Sequence, residues 1–168
     1  MNGFLAEARM EWRIQRGRPF VWFCLAASFA LAFAATAENA WGVQGMSWVN
    51  GADAIGTRAL ILSVLAILAA AGVIGEAMAR DRSHGTEELL LSAGPGRAAQ
   101  GLGRFAVALA VVLAASAMFV PGMILGAMIP GIPAARLGPF VPGHYLSAMG
   151  IYVIPNVVLV AALVYAVS

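Results

Sequence analysis

The chain has 168 residues, of which 61% are hydrophobic and 11% are charged. Because a soluble domain carries about 25% charged residues, this composition excludes soluble enzymes, disulfide-stabilised secreted domains and nucleic-acid-binding proteins. The single cysteine, Cys24, also excludes an intrachain disulfide. Four nearly uncharged segments come close to or exceed the roughly 20 residues that cross a bilayer as a helix. They predict an all-α membrane protein with transmembrane helices at 19–37, 58–79, 105–129 and 145–168.

Residues 3–16 are predicted to form an amphipathic helix that lies on the membrane surface. At about 100° per residue, apolar side chains cluster on one side, a stripe of arginines adjoins them, and Glu7 and Glu11 lie on the other side. Apolar residues beside arginines that can reach lipid phosphates are typical of an interfacial helix. The apolar cluster is Phe4, Leu5, Ala8 and Trp12, and the basic stripe is Arg9, Arg13 and Arg16.

The first apolar segment, 19–37, has a second interpretation. A basic leader, an apolar run and the small residues Ala35-Thr36-Ala37 also resemble a signal peptide with its cleavage site. The apolar run is longer than a usual signal sequence, and a helix-like segment precedes it. These two features favour a retained membrane span.

Two loops and two prolines shape the rest of the predicted membrane domain. The segments 38–58 and 130–144 are predicted loops, rich in Gly or Pro. Pro121 is expected to kink the third span, because proline lacks a backbone N–H and its ring clashes with the preceding turn. Pro155 lies inside the fourth span, where the Asn156 side chain is expected to satisfy a carbonyl that the kink frees; contact with a substrate is the alternative role for Asn156.

Two shorter patterns concern helix packing. Gly122 and Gly126 form a GxxxG pattern, which allows two membrane helices to approach closely; chance is the alternative, since the chain holds 19 glycines. Glu76 lies near the end of the second span, and an ionisable residue inside a membrane is a candidate functional residue. Its position one turn before Arg80 favours an i,i+4 ion pair at the interface instead.

The distribution of arginines predicts the orientation of the chain. Cytoplasmic flanks of membrane spans collect basic residues, and most arginines fall in the leading segment or in the 80–104 connection. The N-terminus and this connection are therefore predicted to be cytoplasmic, in a multi-pass protein of the cell (inner) membrane. The two sets are Arg9, Arg13, Arg16 and Arg18, and Arg80, Arg82, Arg97 and Arg104, whereas the other loops hold Arg58 and Arg136.

The connection between the second and third spans contains a predicted short helix at 86–93. Thr86 is a good N-cap, and acidic residues directly after it favour the positive end of the helix dipole. Three leucines follow, and Gly94 and Pro95 end the helix. A short amphipathic helix on the cytoplasmic side is suited to docking into a groove of a soluble partner. The alternative is an interfacial turn that only links two spans.

This connection resembles the region between the second and third spans of type 2 ATP-binding-cassette (ABC) transporter permeases. The order of an interfacial helix, a span, an external loop, a span, a coupling helix and a span also follows that family along the whole chain. The residues that carry the resemblance are Arg80-Asp81-Arg82, Gly85-Thr86-Glu87-Glu88-Leu89-Leu90-Leu91-Ser92, Arg97 and Gly103-Arg104-Phe105.

The resemblance implies that the short helix is a coupling helix that sits in a cleft of a separate ABC ATPase subunit. It further implies ATP and Mg²⁺ on that ATPase, with no cofactor in this chain, and a second permease half or a homodimer as a further partner in the lipid bilayer. The implied docking residues are Thr86, Glu87, Glu88, Leu89, Leu90, Leu91 and Ser92, flanked by Arg80, Asp81, Arg97 and Arg104.

A narrower resemblance is to permeases fused to a C-terminal zinc aminopeptidase-like domain. It rests on Arg136-Leu137-Gly138-Pro139-Phe140, on Tyr145-Leu146 and on Ile154-Pro155-Asn156. Two features depart from the family pattern, namely Ala93-Gly94-Pro95 after the coupling helix and four spans where a permease half has six. Because the chain stops within an apolar run, we expect an incomplete permease half.

No motif in the sequence indicates catalysis by this chain. There is no His-Glu-x-x-His and no Walker motif, and His84 and His144 have no neighbouring metal-ligating residues in sequence. The family resemblance therefore implies a permease subunit of an exporter, whose transport is powered by the partner ATPase. The alternatives are a non-transporting membrane anchor or assembly protein that docks a cytoplasmic partner and, with less support, an intramembrane enzyme.

Overall fold

The fold is a bundle of membrane-spanning helices. A computed structural model describes residues 2–37, 48–83, 97–130 and 132–167, and all regular secondary structure within them is helical. Four helical stretches are long and apolar enough to cross a membrane, so the chain is a multi-pass membrane protein. These stretches are Pro19–Ala37, Ala52–Arg80, Ala98–Ala127 and Pro142–Val167.

The helices follow one another in the predicted order. The predicted coupling helix at 86–93 and residues 38–47 of the first loop lie outside the described residues. A 3₁₀ turn at Ala134–Arg136 precedes the fourth span, which contains a π-helical segment at Met149–Val153. The α-helices are α1 (Asn2–Arg16), α2 (Pro19–Ala37), α3 (Ala52–Ser83), α4 (Arg97–Ala117), α5 (Phe119–Ala127), α6 (Pro142–Ala148) and α7 (Ile154–Val167).

The second span, α3, begins earlier than predicted. Residues 52–57 were expected in the first loop, whereas the structure places them in the helix. Asp53 in the first turn favours the positive end of the helix dipole, and Ile55 is already buried in the core. With 32 residues, α3 is about 48 Å long, which exceeds a hydrocarbon core of about 30 Å. One end of α3 therefore extends past the apolar part of the bundle.

The third span is interrupted before Pro121, the residue at which the sequence predicts a kink. Helix α4 ends at Ala117 and α5 begins at Phe119. The ring of Pro121 would clash with the carbonyl of Ala117, four residues earlier. The chain responds with a tighter turn, in which the Met118 N–H donates to the Ala115 carbonyl at 3.2 Å.

The fourth span contains a π-helical segment directly before Pro155. The span begins at Pro142, a position where proline is favoured because the first helical N–H needs no partner. The sequence suggested that Asn156 bonds a backbone carbonyl freed by the kink, but the structure does not show that bond. Its Nδ2 donates instead to Ser63 Oγ of α3 at 3.3 Å. The reason is that the neighbouring helix presents a polar side chain at that depth, and polar groups in membrane helices bond across helices.

Helices α2 and α5 pack closely along the GxxxG pattern, which confirms that prediction. A Cβ atom at Gly122 would lie 2.6 Å from the Phe29 carbonyl oxygen, and one at Gly126 would lie 2.5 Å from the Phe33 carbonyl oxygen. Both glycines are buried. The absence of side chains thus brings two backbones into contact. The apolar segment 19–37 is a packed member of the bundle.

Helix α3 lies at the centre of the bundle and contacts α2, α4, α6 and α7. Its buried side chains pack against those of the other spans. Large apolar side chains on the outside of the bundle are exposed, as expected for a surface that contacts lipid in place of water. The largest fully buried apolar residues of the described parts of the chain are Val49, Ile55, Leu62, Ile74, Val112, Phe119, Met123 and Val153.

The loops at one end of the bundle, which we call the loop end, are joined by a two-way hydrogen bond. Asn50 Nδ2 donates to the Gly138 carbonyl at 2.7 Å, and the Gly138 N–H donates to Asn50 Oδ1 at 2.7 Å. A Cβ atom at Gly138 would lie 2.7 Å from the Trp48 ring, so only glycine fits there. The segment 136–140 is therefore held against the start of α3.

A buried arginine completes this end of the bundle. Arg58 is fully buried, and its Nη1 donates to the Val49 carbonyl at 2.6 Å. The Val49 N–H donates in turn to the Arg136 carbonyl at 2.8 Å. The arginine thereby ties the first turns of α3 to the chain that precedes the fourth span.

Candidate functional site at the α1 end

Helix α1 packs across the opposite end of the bundle from the loop end. It contacts α4 and lies beside the last turns of α3, the two helices that border residues 84–96. We call the contact made by five polar side chains the α1 junction. These side chains are Glu7, Glu11, Gln15, Arg80 and Arg104.

The first half of the α1 junction joins α1 to the end of α3. Arg80 and Glu11 form a two-point ion pair, with Nη1 to Oε1 at 3.3 Å and Nη2 to Oε2 at 2.5 Å. Gln15 Nε2, one turn further along α1, donates to Glu11 Oε1 at 2.7 Å. The Glu11 side chain is fully buried. Its carboxylate therefore depends on these donors, because a buried charge without partners is costly.

The second half joins α1 to the start of α4. Arg104 Nε donates to Glu7 Oε1 at 2.6 Å, and both side chains are nine-tenths or more buried. Gly103 allows this contact, because a Cβ atom there would lie 3.0 Å from Glu7 Cβ and 3.2 Å from the Phe4 carbonyl oxygen. The glycine and the arginine next to it therefore act together in bringing α4 to α1.

The fourth span also reaches this end of the bundle. The rings of Tyr165 and Phe105 lie with their centroids 4.8 Å apart, which packs the last turns of α7 onto α4. The Tyr165 hydroxyl would lie 3.1 Å from a Cβ atom at Gly101. The start of α4 is therefore held from two sides, by α1 and by α7.

The face of α1 that packs against the bundle is its acidic face. Glu7, Glu11 and Gln15 recur every fourth residue and are buried, whereas Leu5 and Trp12 are about half exposed. Phe4 and Ala8 are partly buried, and Arg9, Arg13 and Arg16 are exposed. The separation of apolar and basic residues from acidic ones agrees with the sequence analysis. The sequence analysis assigned no partner to the acidic face of α1, and the structure shows that this face packs against α3 and α4.

The predicted ion pair between Glu76 and Arg80 is wrong. Glu76 pairs with Arg18, which follows α1, and Arg80 turns toward Glu11 instead. Two partners distant in sequence displace the local pair, because α1 brings a buried carboxylate to Arg80. A local i,i+4 pair between exposed residues contributes only a few tenths of a kcal/mol, about 0.3–0.5.

The structure describes part of the predicted docking site. Arg80 binds Glu11 and Arg104 binds Glu7, so both arginines contact α1. Both arginines also make further contacts with other residues. Asp81 lies in α3 and Arg97 begins α4, but their side chains are outside the described residues. The predicted docking residues Thr86, Glu87, Glu88, Leu89, Leu90, Leu91 and Ser92 lie wholly outside them.

The signal that could have revealed the α1 junction is the stripe of Glu7, Glu11 and Gln15. A row of polar residues on one face of a helix at the membrane requires partners, and the arginines of the 80–104 connection were the available ones. Because the junction carboxylates are bound to guanidinium groups, the arrangement holds the end of α3 and the first turns of α4 against the middle of α1. Within the described parts of the chain, no three His, Cys, Asp or Glu side chains are grouped as metal ligands.

Comparison with protein-family models, curated proteins and solved structures finds no match to this chain.

Proposed function

We propose that the chain is a membrane-spanning permease subunit of an ABC-type transporter of the exporter kind. A separate ATPase subunit, carrying ATP and Mg²⁺, docks on the coupling helix at 86–93 and drives substrate movement. Three things support the proposal: the resemblance of residues 80–105 to such permeases, the four apolar spans, and the α1 junction, which binds Arg80 and Arg104 on either side of the docking segment in sequence.

The observation that carries the proposal is the anchoring of both ends of the docking connection on one helix. Arg80 precedes this connection and Arg104 follows it, and they bind Glu11 and Glu7, which lie one turn apart on α1. A displacement of the connection would therefore move α1, α3 and α4 as one body. Buried ion pairs suit this role because separating either partner exposes an uncompensated charge.

In the proposed orientation, α1 and the 80–104 connection lie on the cytoplasmic side of the cell membrane. Arg80 and Arg104, at the two described ends of the connection, lie with α1 at the same end of the bundle, and most arginines of the sequence lie in these two segments. The exposed Leu5 and Trp12 then contact the lipid surface, and Arg9, Arg13 and Arg16 reach lipid phosphates.

The replacement Leu90→Arg or Glu88→Arg is expected to uncouple the partner ATPase. A bulky cation in the docking segment would clash with an apolar cleft or remove an acidic contact. We expect stimulation of ATP hydrolysis to fall to the rate of the ATPase alone. The tagged chain is purified from native membranes together with its ATPase, and the complex is reconstituted in vesicles. The measurement is the rate at which the ATPase in this complex releases phosphate.

The matched control is Ala6→Arg, which adds the same charge on an exposed face of α1. It should leave the stimulation intact. Unchanged stimulation in Leu90→Arg and Glu88→Arg would reject the docking assignment. A partner that binds the chain but hydrolyses ATP at the same rate with and without it would favour the alternative, a membrane anchor.

Position 90 is expected to be accessible from the cytoplasmic side alone. The native Cys24 is half-buried and is the one cysteine, so a Cys24→Ser background leaves Leu90→Cys as the sole thiol. A membrane-impermeant maleimide should label it in inverted vesicles and leave it unlabelled in intact cells. Labelling in intact cells would overturn the proposed orientation and, with it, the docking of a cytoplasmic ATPase.

A further inference from the structure

A cleft at the loop end lies between the first two turns of α3 and the beginning of the fourth span. It encloses about 320 Å³, a size typical of small-ligand sites. One wall is the Tyr152 ring, which packs against Gly56, where a Cβ atom would lie 3.3 Å from Tyr152 Cε2. The glycine thus makes room for the ring, and the π-helical segment that carries Tyr152 forms this side of the cleft.

The cleft is polar at one end, which we call its mouth, and apolar at the other. Asp53 and His144 lie in the first turns of α3 and α6, and both line the mouth. Leu60 and Ile151 come seven residues later on each helix, about 10 Å further along the axis. These two side chains are 50% and 64% exposed, so the apolar part opens sideways to lipid. A polar head about 10 Å from an apolar chain is the shape of an amphiphile.

The polar groups at the mouth favour a cation. The Asp53 carboxylate has no ion-pair partner among the described arginines. Arg58, although close in sequence, does not line the cleft and donates to the Val49 carbonyl. The Ser147 hydroxyl donates to the His144 carbonyl at 3.0 Å, which leaves its oxygen free to accept a hydrogen bond.

The His144 ring also lines the mouth. Its Nδ1 atom is buried and has no hydrogen-bond partner among the described residues, so it is not accessible to a ligand in the cleft. The Asp53 carboxylate and the Ser147 hydroxyl oxygen are therefore the acceptors at the mouth, and they match a group that carries N–H donors and a positive charge.

We propose that this cleft binds a cationic amphiphile, with an alkylammonium head at Asp53 and Ser147 and a single apolar chain along Leu60 and Ile151. The ligand enters sideways from the lipid leaflet at the loop end. This site stands independently of the proposed transport function, because binding requires no nucleotide and no partner subunit.

The test uses the reconstituted full chain in phosphatidylcholine vesicles and a chain-nitroxide octadecylammonium probe. Electron paramagnetic resonance measures the fraction of probe that the protein immobilises. The ammonium probe should be immobilised in preference to a matched octadecyl sulfate probe. Asp53→Asn should weaken ammonium binding about threefold to tenfold, the effect of losing one partly exposed charge-assisted contact.

A second pair of variants tests the shape of the cleft. Ser147→Phe places a ring in the cleft and should abolish binding of the ammonium probe. Gly150→Phe, on the same span but with nothing within 4 Å of a Cβ atom, should leave it unchanged. Equal immobilisation of the two probes, or full binding in Asp53→Asn or in folded Ser147→Phe, would overturn the proposal.

Discussion

Replacement of Arg80 by methionine is expected to lower the free energy of unfolding by about 3–5 kcal/mol. The Glu11 carboxylate is fully buried, and Arg80 supplies its positive partner. With methionine in place, Gln15 would be its one remaining donor within the α1 junction. The cost follows because a buried charge that loses its partner retains its full desolvation penalty. The measurement is the unfolding free energy of the reconstituted protein in lipid bicelles.

Two variants separate this effect from a general loss of charge. Arg13→Met removes the same charge from the exposed side of α1 and should change stability by less than about 0.5 kcal/mol. Arg80→Met combined with Glu11→Gln removes both charges and keeps a hydrogen-bonding group for Gln15, so it should recover more than half of the loss. Equal effects of Arg80→Met and Arg13→Met would show that the pair does not hold α1.

Gly126→Ala is expected to destabilise the bundle by about 1–3 kcal/mol, the usual cost of overpacking, and Gly126→Leu by more. The added Cβ atom would lie 2.5 Å from the Phe33 carbonyl oxygen and 2.8 Å from Thr36 Cβ. The oxygen belongs to a helix backbone, so α2 and α5 must separate to admit the methyl group. Thermal unfolding in a mild non-ionic detergent measures the effect.

The matched control for this pair of helices is Gly150→Ala. It introduces the same methyl group into another span, where nothing lies within 4 Å of the added Cβ atom. The midpoint temperature of unfolding should stay within about two degrees of the unmodified protein's, which corresponds to a few tenths of a kcal/mol. If Gly126→Ala is as stable as Gly150→Ala, the close contact of α2 with α5 does not contribute to the stability of the bundle.

Helix α3 connects the two sites proposed above. Asp53 lies in its first turn beside the cleft, and Arg80 lies near its other end in the α1 junction. They are 27 positions apart, which corresponds to about 40 Å of continuous helix. A ligand in the cleft and a partner near residues 84–96 would therefore act on the same rigid element, from opposite ends of the bundle.

The sequence by itself determined the membrane class, the number and order of the spans, and the position at which the third span is interrupted. Apolar length decides whether a helix can cross a bilayer, so the four spans could be recognised without any contact. The interruption before Pro121 follows from the chemistry of proline. The close approach at Gly122 and Gly126 follows from two missing side chains, although the partner helix could not be named.

The choice of partner was decided by the tertiary structure alone. The pairs Glu11–Arg80, Glu7–Arg104 and Asn50–Gly138 join residues 69, 97 and 88 positions apart. A local rule paired Glu76 with Arg80, and the packed bundle replaced that pair with two others. The physical reason is that an ion pair gains most where water is excluded, and which side chains lose their water depends on how the whole chain packs.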